Sequence, residues 1–150
     1  MKNRKWWILA SILWMAVIFI FTQMPASTGS NTSNTLEKLL VTLHINAVGP
    51  SGIDVLNLII RKSAHVMTFG FLSFLLFKSL EFYRFSYVLS WILTVIYAMS
   101  DEYHQSFMPG RTSTIWDVFL YDSVGAFLVL LVTFLIIKRK KSNNIISKAE

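Results

Sequence analysis

The sequence contains no cysteine, three prolines, six glycines and few charged residues. The absence of cysteine excludes disulfides, a cysteine nucleophile and a thiolate metal site. Charged residues account for 15% of the chain and hydrophobic residues for 54%, compared with roughly 45–50% apolar residues in an ordinary soluble domain. With a mean hydropathy of +0.54, this composition indicates that the lipid bilayer is the main solvent and a partner of the chain.

Four apolar runs separated by polar segments predict an all-α polytopic membrane bundle of four transmembrane helices in a single domain, residues 1–141. The predicted spans are residues 6–22, 63–80, 85–100 and 118–137. The polar residues 142–150 predict a disordered cytoplasmic tail.

The first apolar run has a second interpretation, because a cleaved signal peptide also begins with basic residues and continues with an apolar segment. Lys2, Arg4 and Lys5 precede this run. However, Met24 would occupy position −3 of a cut after Ala26, where a small residue is favoured, and the run approaches the length of a span. A retained transmembrane helix is therefore the preferred prediction.

The segment between the first two runs is rich in Ser, Thr, Asn and Gly, which is typical of a solvated loop. Within it, leucines recur at helical spacing after Asn34, a predicted N-cap, with Glu37 three residues later. This pattern predicts a short extracytoplasmic interfacial helix that covers the mouth of the bundle or gates access to it. Ser51 and Asp54 resemble a second capping box at the start of the next helix.

The second apolar run is too short to cross a bilayer by itself. Its uncharged part, residues 63–77, would be about 22 Å long as a helix, against a hydrocarbon core of about 30 Å. Either the bilayer thins at this point, or Arg61, Lys62 and His65 lie in a polar cavity. Because the third run ends on Asp101 and Glu102, the two helices predict a shared depression in the outer leaflet.

The basic residues predict the orientation in the membrane. Ten of the fourteen Lys and Arg residues fall in the N-terminus, the 78–84 turn and the C-terminal tail, and an excess of positive charge marks the cytoplasmic side. Both termini are therefore predicted to be cytoplasmic and the polar site extracytoplasmic. Since topology accounts for the net charge of +6, no nucleic-acid partner is predicted.

The stretch from Ser100 to Gly125 concentrates ionisable residues between two apolar runs. If the third helix continues one turn past Ser100, Asp101 lies on the same face as His104 and Gln105. A carboxylate beside an imidazole orients the ring and raises its basicity, which suits general acid–base chemistry. The same residues could instead brace the end of the helix.

The residues that follow form a predicted turn and the start of the fourth helix. Pro109 and Gly110 are typical of a chain reversal, and the Arg111 guanidinium could clamp a carboxylate or phosphate or pair with a nearby acid. Thr114 is a predicted N-cap, so that Asp117 could act only as a helix-start acid.

Asp122 lies about one turn inside the fourth apolar run, where a carboxylate is a functional candidate that needs a partner. Arg61, Lys62 and Arg111 are the predicted partners. Gly125 follows one turn later and would permit a close helix approach.

These charges can be interpreted in two ways. Three permanent cations and four acids with two histidines could form a buried ion-pair network, or a pocket for an anionic group beside a general acid or base. The histidines and acids could bind a divalent metal, but no HExxH spacing is present, and no metal or cofactor is predicted. The sequence also contains no phosphate-cradling glycine loop and no nucleophile elbow.

Several motifs resemble those of VanZ-like membrane proteins over nearly the whole chain. They are Thr22-Gln23-Met24-Pro25, Arg61-Lys62-Ser63-Ala64-His65, Ser100-Asp101-Glu102-Tyr103-His104-Gln105 and Phe107-Met108-Pro109-Gly110-Arg111, followed by Asp117, Asp122 and Gly125. The resemblance implies a small multi-helix protein of the bacterial cytoplasmic membrane and cell envelope. It also implies a link to antibiotic resistance, since the family's name member is associated with low-level resistance to teicoplanin. Phe69 departs from the pattern, because the family often has Tyr there.

The resemblance and the residue chemistry together give a set of candidate site residues. The catalytic candidates are His104, Asp101, Glu102 and His65. The substrate-binding candidates are Arg111, Lys62, Arg61, Gln105, Asp117 and Asp122.

Three functions are consistent with these candidates. The first is an enzyme that hydrolyses or transfers a group on a lipid-linked or cell-wall anionic substrate. The second is a protein that binds or shields an anionic precursor, a lipid headgroup or a partner protein. The third is a proton-coupled transporter, for which four helices leave little room unless the protein forms a homo-oligomer.

Overall fold

The computed structural model describes residues 3–24, 28–45, 49–111 and 113–146, and every regular element in these ranges is helical. The elements are α1 (Arg4–Gln23), α2 (Gly29–Thr42), α3 (Pro50–Leu80), α4 (Ser86–Gln105), α5 (Ile115–Asp117), a π-helical segment (Val118–Asp122) and α6 (Ser123–Ile146). Together, α5, the π-helical segment and α6 are called the last helical run below. The prediction of an all-α fold is confirmed.

Three of these helical stretches are long and apolar enough to cross a membrane: α1, α3 and the last helical run. Their outward faces carry large exposed apolar side chains, such as Ile12, Leu120 and Ile136, as expected of a surface that faces lipid. α4 has 20 residues but is not among the three, and polar residues fill its last turn. Length and composition therefore support three spans.

The end of α1 and the start of α3 both follow from backbone chemistry. α1 contains neither proline nor glycine, and it ends where Met24 adopts an extended conformation (φ −71°, ψ 124°), which is favoured before a proline. That proline, Pro25, lies outside the described residues, as does Ala26. α3 begins at Pro50, whose fixed φ suits the first turn of a helix, with Gly49 as N-cap.

Two of the predicted helix starts were wrong. Ser51 and Asp54 lie inside α3 rather than capping it, so the predicted span 63–80 is the second part of a 31-residue helix. Asn34 lies inside α2, which begins five residues earlier at Gly29. α2 is held against α3 by the Asn57 side chain, whose Nδ2 donates to the carbonyl of Gly29 (3.0 Å) and to Ser33 Oγ (2.8 Å).

α6 extends through Ile146, whereas the sequence predicted a disordered tail from residue 142. No proline or glycine follows Gly125, so nothing in the local sequence stops the helix after the basic run that begins at Lys138. The rest of the predicted tail, residues 147–150, lies outside the described residues.

α3 is the central helix of the bundle, and it packs against α1, α4 and α6. The buried core consists of Ile18, Phe69, Leu72, Ala98 and Val118. Each of the long elements contributes to this cluster, which therefore joins α1, α3, α4 and the last helical run.

Side-chain hydrogen bonds distinguish the two ends of the bundle. At one end, Arg4 donates to the hydroxyl of Tyr83 (3.2 Å), close to the N-terminus and the α3–α4 turn. At the other end, Thr22 Oγ1 donates to Asp101 Oδ1 (2.7 Å). The second end, here called the polar end, gathers the end of α1, the end of α4, the middle of α3 and the start of the last helical run.

α3 and α6 approach each other closely at two glycines. A Cβ atom at Gly125 would lie 2.4 Å from the carbonyl oxygen of Val66, and one at Gly70 would lie 2.8 Å from Val129 Cγ2. Ser73 Oγ donates to the Gly70 carbonyl (2.7 Å) and lies 3.3 Å from the Ala126 carbonyl oxygen. Small residues at this crossing permit backbone contact, as is common between helices in membranes.

The crossing predicts a graded loss of stability on substitution. We expect Gly125→Ala to lower the free energy of unfolding by about 1–3 kcal/mol, because the new methyl group meets backbone atoms that cannot move aside. Gly70→Ala should cost less, since its closest contact is the Val129 side chain and the nearest backbone atom, the Gly125 carbonyl oxygen, is 3.2 Å away. Gly49→Ala is the matched control, because no atom lies within 4 Å of its Cβ position. Thermal unfolding of the purified proteins in one detergent would rank the stabilities of the three variants. Equal unfolding midpoints for Gly125→Ala and Gly49→Ala would contradict the prediction.

Candidate functional site

A cavity of about 360 Å³ opens at the polar end between α1, α3 and α4. This volume lies at the lower end of the range for small-molecule sites, roughly 300–1,000 Å³. Its polar lining comes from Thr22, Thr32, Arg61, His65, Thr68, Asp101, Gln105 and Arg111. Its apolar lining comes from Trp14, Val17, Ile18, Phe21, Ile60, Ala64 and Phe69. The cavity therefore combines cationic and acid–base groups with a hydrocarbon-like wall.

Asp101 is buried at the inner wall of the cavity, and both of its oxygens accept hydrogen bonds. Thr22 Oγ1 donates to Oδ1 (2.7 Å), and Gln105 Nε2 donates to Oδ2 (2.8 Å). The predicted pairing of Asp101 with Gln105 along one helix face is thus present. Because a buried carboxylate needs such donors, Thr22 and Gln105 hold Asp101 in place, and the bond from Thr22 joins α1 to α4.

His65 is paired with Asp122 across the interface between α3 and the last helical run. The distance from His65 Nδ1 to Asp122 Oδ1 is 3.1 Å, and the Asp122 side chain is 1% exposed. The sequence predicted Arg61, Lys62 or Arg111 as the partner of Asp122, and the structure assigns this role to an imidazole instead. A carboxylate on one ring nitrogen fixes the tautomer and leaves the other nitrogen to face a ligand.

His104 occupies a different environment from the one predicted. Its ring stacks on Phe19 with centroids 4.7 Å apart, and it does not line the cavity. Its Nε2 is buried and has no hydrogen-bond partner in the described part of the chain. Asp101 accepts a hydrogen bond from Gln105, the fourth residue along the helix, and none from His104. The predicted Asp101–His104 pair is therefore not formed.

Arg111 and Arg61 bring two guanidinium groups to the mouth of the cavity. Arg111 follows the predicted turn, in which Gly110 has a positive φ of 75°, and its Nη2 donates to the carbonyl of Phe21 at 2.9 Å. Burial lowers the pKa of Arg111, and the charge of Arg61 lowers the pKa further. The two like charges therefore repel each other, and an anion between them would relieve this repulsion.

Lys62 lies next to Arg61 in the sequence but does not line the cavity. Its ammonium group pairs with Asp117 and lies 4.9 Å from the centroid of the Tyr121 ring. Lys62 and Asp117 thus form an ion pair between α3 and the start of the last helical run. Two residues predicted to bind substrate are, in this geometry, partners of each other.

Glu102 ties the loop before the last helical run to α4. Its buried carboxylate accepts the backbone N–H of Thr114, and its carbonyl accepts the Ser113 hydroxyl at 2.8 Å. Thr114 is the predicted N-cap, but its side chain makes no capping hydrogen bond. Glu102 is therefore a structural partner of this loop, although the sequence predicted it as a catalytic residue.

The residues that meet at the polar end are the same ones that form the sequence motifs. A family model described as VanZ/LLP1 matches residues 7–138. The chain belongs to the VanZ/LLP1 family. No curated protein and no solved structure matches it.

The structure of this VanZ/LLP1 protein divides the ten candidate residues into three groups. Five of them line the cavity, namely Arg61, His65, Asp101, Gln105 and Arg111. Asp122 contacts the Nδ1 atom of His65, and Lys62 pairs with Asp117. Glu102 and His104 lie nearby. Glu102 holds the loop before the last helical run, and His104 stacks on Phe19 of α1. Within the described residues, no group of three or more His, Asp or Glu side chains is arranged to hold a metal ion.

Thr22 and Trp14 are two of the cavity residues of the VanZ/LLP1 protein that were not among the predicted site residues. Thr22 is the first residue of the Thr22-Gln23-Met24-Pro25 motif. Its place in that motif was the only feature of the sequence that pointed to a role for Thr22. Trp14 lies in an unbroken apolar run, where no pattern distinguishes a cavity wall from a lipid-facing side chain. Its Nε1 donates to the carbonyl of Thr68 at 3.1 Å, which fixes the indole between α1 and α3.

The Glu102 contact generates a prediction for the VanZ/LLP1 loop. We expect Glu102→Ala to expose the loop to proteolysis after Arg111, because the Thr114 N–H loses a charge-assisted hydrogen bond that contributes about 1.5–3 kcal/mol. Glu102→Gln retains an acceptor oxygen and should have a smaller effect. The rate of tryptic cleavage at this site, followed by mass spectrometry of the purified protein, would measure the change.

The control is Glu81→Ala, which removes the partner of Lys78 at the opposite end of the bundle and should leave cleavage after Arg111 unchanged. Unaltered cleavage in Glu102→Ala would show that this carboxylate does not hold the loop.

Proposed function

We propose that this VanZ/LLP1 protein acts on an anionic, lipid-linked or cell-wall molecule at the outer leaflet of the bacterial cytoplasmic membrane. One observation carries the proposal: the same cavity is lined by two guanidinium groups, Arg61 and Arg111, and by an imidazole, His65, whose Nδ1 is held by Asp122. Guanidinium groups recognise phosphate and carboxylate. The imidazole is the group suited to proton transfer.

The membrane arrangement is part of the proposal. Both termini lie in the cytoplasm, the polar end faces outward, α4 is a fourth span and α2 lies in the outer interface. The start of α1, the end of α6 and the α3–α4 turn lie at the end opposite the cavity, which supports this orientation, because most basic residues lie in or beside those segments. The bonds from Asn57 to α2 support an interfacial position beside the cavity.

In the proposed reaction, His65 is the catalytic residue. Its Nε2 accepts a proton from water or a hydroxyl group as that oxygen attacks the substrate, and it returns the proton to the leaving group. Asp122 stabilises the imidazolium that forms, as a buried carboxylate does beside a catalytic histidine. Arg61 and Arg111 bind the anionic group and stabilise the charge that develops on it. This assignment moves the acid–base role from His104, which stacks on Phe19, to His65.

A second function is binding or shielding of the anionic molecule without reaction. The hydrogen bonds that Asp101 accepts from Thr22 and Gln105 support this alternative, because they give this carboxylate a structural role in the cavity wall. Both functions would protect or alter an envelope precursor, and both are compatible with a contribution to teicoplanin-type resistance.

Paired histidine variants distinguish the two functions. If the protein is an enzyme, His65→Ala should lower formation of the modified envelope product about 100-fold or more, the usual effect of losing a general acid–base group. His104→Phe should retain activity, because a phenyl ring preserves the stack on Phe19. Mass spectrometry of envelope lipids and muropeptides, from bacteria with and without each variant, would measure the product.

Immunoblots of membrane fractions would confirm equal amounts of each variant. If the wild-type protein leaves the lipid and muropeptide profile unchanged but alters susceptibility to teicoplanin, catalysis is rejected and the binding function stands. Loss of product in His104→Phe, with His65→Ala active, would reject the assignment of His65.

A further inference from the structure

The cavity is divided along its length into a polar and an apolar part. The polar part lies where Thr22 of α1 meets Asp101 of α4, and it includes the two arginines. The apolar part continues along α1 from Phe21 to Trp14. Since Thr22 and Trp14 are eight residues apart, this wall extends about 12 Å along the helix axis. A ligand that fills the cavity thus needs an apolar segment as well as an anionic group.

The apolar part is not enclosed by the bundle. Three of its lining residues are exposed: Val17 by 37%, Phe21 by 59% and Ile60 by 49%. These residues lie on α1 and α3, two of the helices long and apolar enough to cross a membrane. The cavity can therefore exchange hydrocarbon directly with the lipid, without passage of an apolar chain through water.

The inner end of this wall is closed by ordered side chains. The Trp14 indole is fixed by its hydrogen bond to the carbonyl of Thr68 and by an edge-to-face contact with Phe71, with centroids 4.9 Å apart. Phe69, with 1% exposure, stacks against the His65 ring, with centroids 5.9 Å apart. A preformed wall of this kind binds a flexible chain without first having to be ordered.

The charge at the mouth selects the headgroup. No hydrogen bond or ion pair joins the Arg61 side chain to the described residues, and its guanidinium lies over Gly29 of α2. Arg111 lies close enough to Arg61 for their charges to repel. Asp101 is the acid that lines the cavity, and its oxygens accept bonds from Thr22 and Gln105. The mouth is thus complementary to an anion rather than to a neutral or cationic group.

We infer that the cavity binds a single-chain anionic amphiphile, with the anionic group between Arg61 and Arg111 and the hydrocarbon chain between α1 and α3, against Trp14. This inference rests on the proposed function, because it uses the same anion site. It adds that the apolar segment of the ligand is bound inside the protein rather than left in the bilayer. The chain enters sideways from the outer leaflet, and its bound portion ends near Trp14.

Photocrosslinking with a diazirine-bearing dodecyl phosphate tests this inference. The probe is added to the full-length protein in nanodiscs of zwitterionic phosphatidylcholine, and crosslinks are mapped by mass spectrometry. We expect labels concentrated on the α1 and α3 residues of the apolar wall. Unlabelled dodecyl phosphate should prevent this labelling, whereas inorganic phosphate or dodecanol at the same concentration should not, because each provides only half of the ligand.

Variants separate the two parts of the site. Ala64→Trp and Val17→Trp fill the apolar wall and should abolish labelling there. Val88→Trp adds the same side chain to an exposed position of α4 and should leave labelling of the wall unchanged. Arg61→Gln should reduce labelling of the wall about tenfold, as expected for loss of one charge-assisted hydrogen bond to the anion.

The outcomes are distinct for the two proposals. Labels spread evenly over the lipid-facing residues of α4 and α6, or unchanged by both tryptophan variants, overturn the bound-chain inference. If Arg61→Gln still weakens competition by dodecyl phosphate in that case, the anion site of the proposed function survives. Equal competition by dodecanol and dodecyl phosphate, with no effect of Arg61→Gln, overturns the anionic amphiphile and the anion site together.

Discussion

The close crossing of α3 and α6 at Gly125 is the constraint on which the polar end depends. A Cβ atom there would lie 2.4 Å from the Val66 carbonyl oxygen, so the two backbones meet without a side chain between them. His65 immediately precedes Val66, and Asp122 lies one turn before Gly125. The helix approach therefore brings the imidazole and the carboxylate within 3.1 Å, and a wider crossing would leave a buried carboxylate without its partner, at a high cost in free energy.

The ionisable groups at the polar end serve two purposes in the bundle. Lys62 with Asp117, and Glu102 with the Thr114 backbone, connect helices and loops away from the cavity. Asp101, held by Thr22 and Gln105, forms the cavity wall. Removing one member of such a set leaves the other buried and unsatisfied, which explains why the charges form a connected group at one end of an otherwise apolar chain.

The sequence predicted the helical fold, the Pro109–Gly110 turn and the residues that gather at the polar end, because hydrophobic runs and turn residues carry local information. It did not predict the pairings. Asp122 was expected to meet a permanent cation, yet its partner is His65, because the pairing depends on how two distant helices are rotated about their axes. The same limit applies to Trp14, since a cavity between helices leaves no periodic signal in an entirely apolar run. The helix starts at Gly29 and Pro50 were missed because both helices extend beyond their apolar residues, through polar segments that resemble loops.

The π-helical segment, Val118–Asp122, has a consequence for the length of the chain in this region. In an α-helix at about 100° per residue, Asp117 and Asp122 would point about 140° apart. The wider turn of a π-helix, with its i→i+5 hydrogen bonds, brings residues five apart nearly into line, so that both acids reach α3, one at Lys62 and the other at His65. The segment thus behaves as a one-residue insertion that is retained in the fold. Deletion of one residue between the two aspartates would return the helix to its ordinary repeat with the acids four residues apart, about 40° from each other, so that both would still face α3.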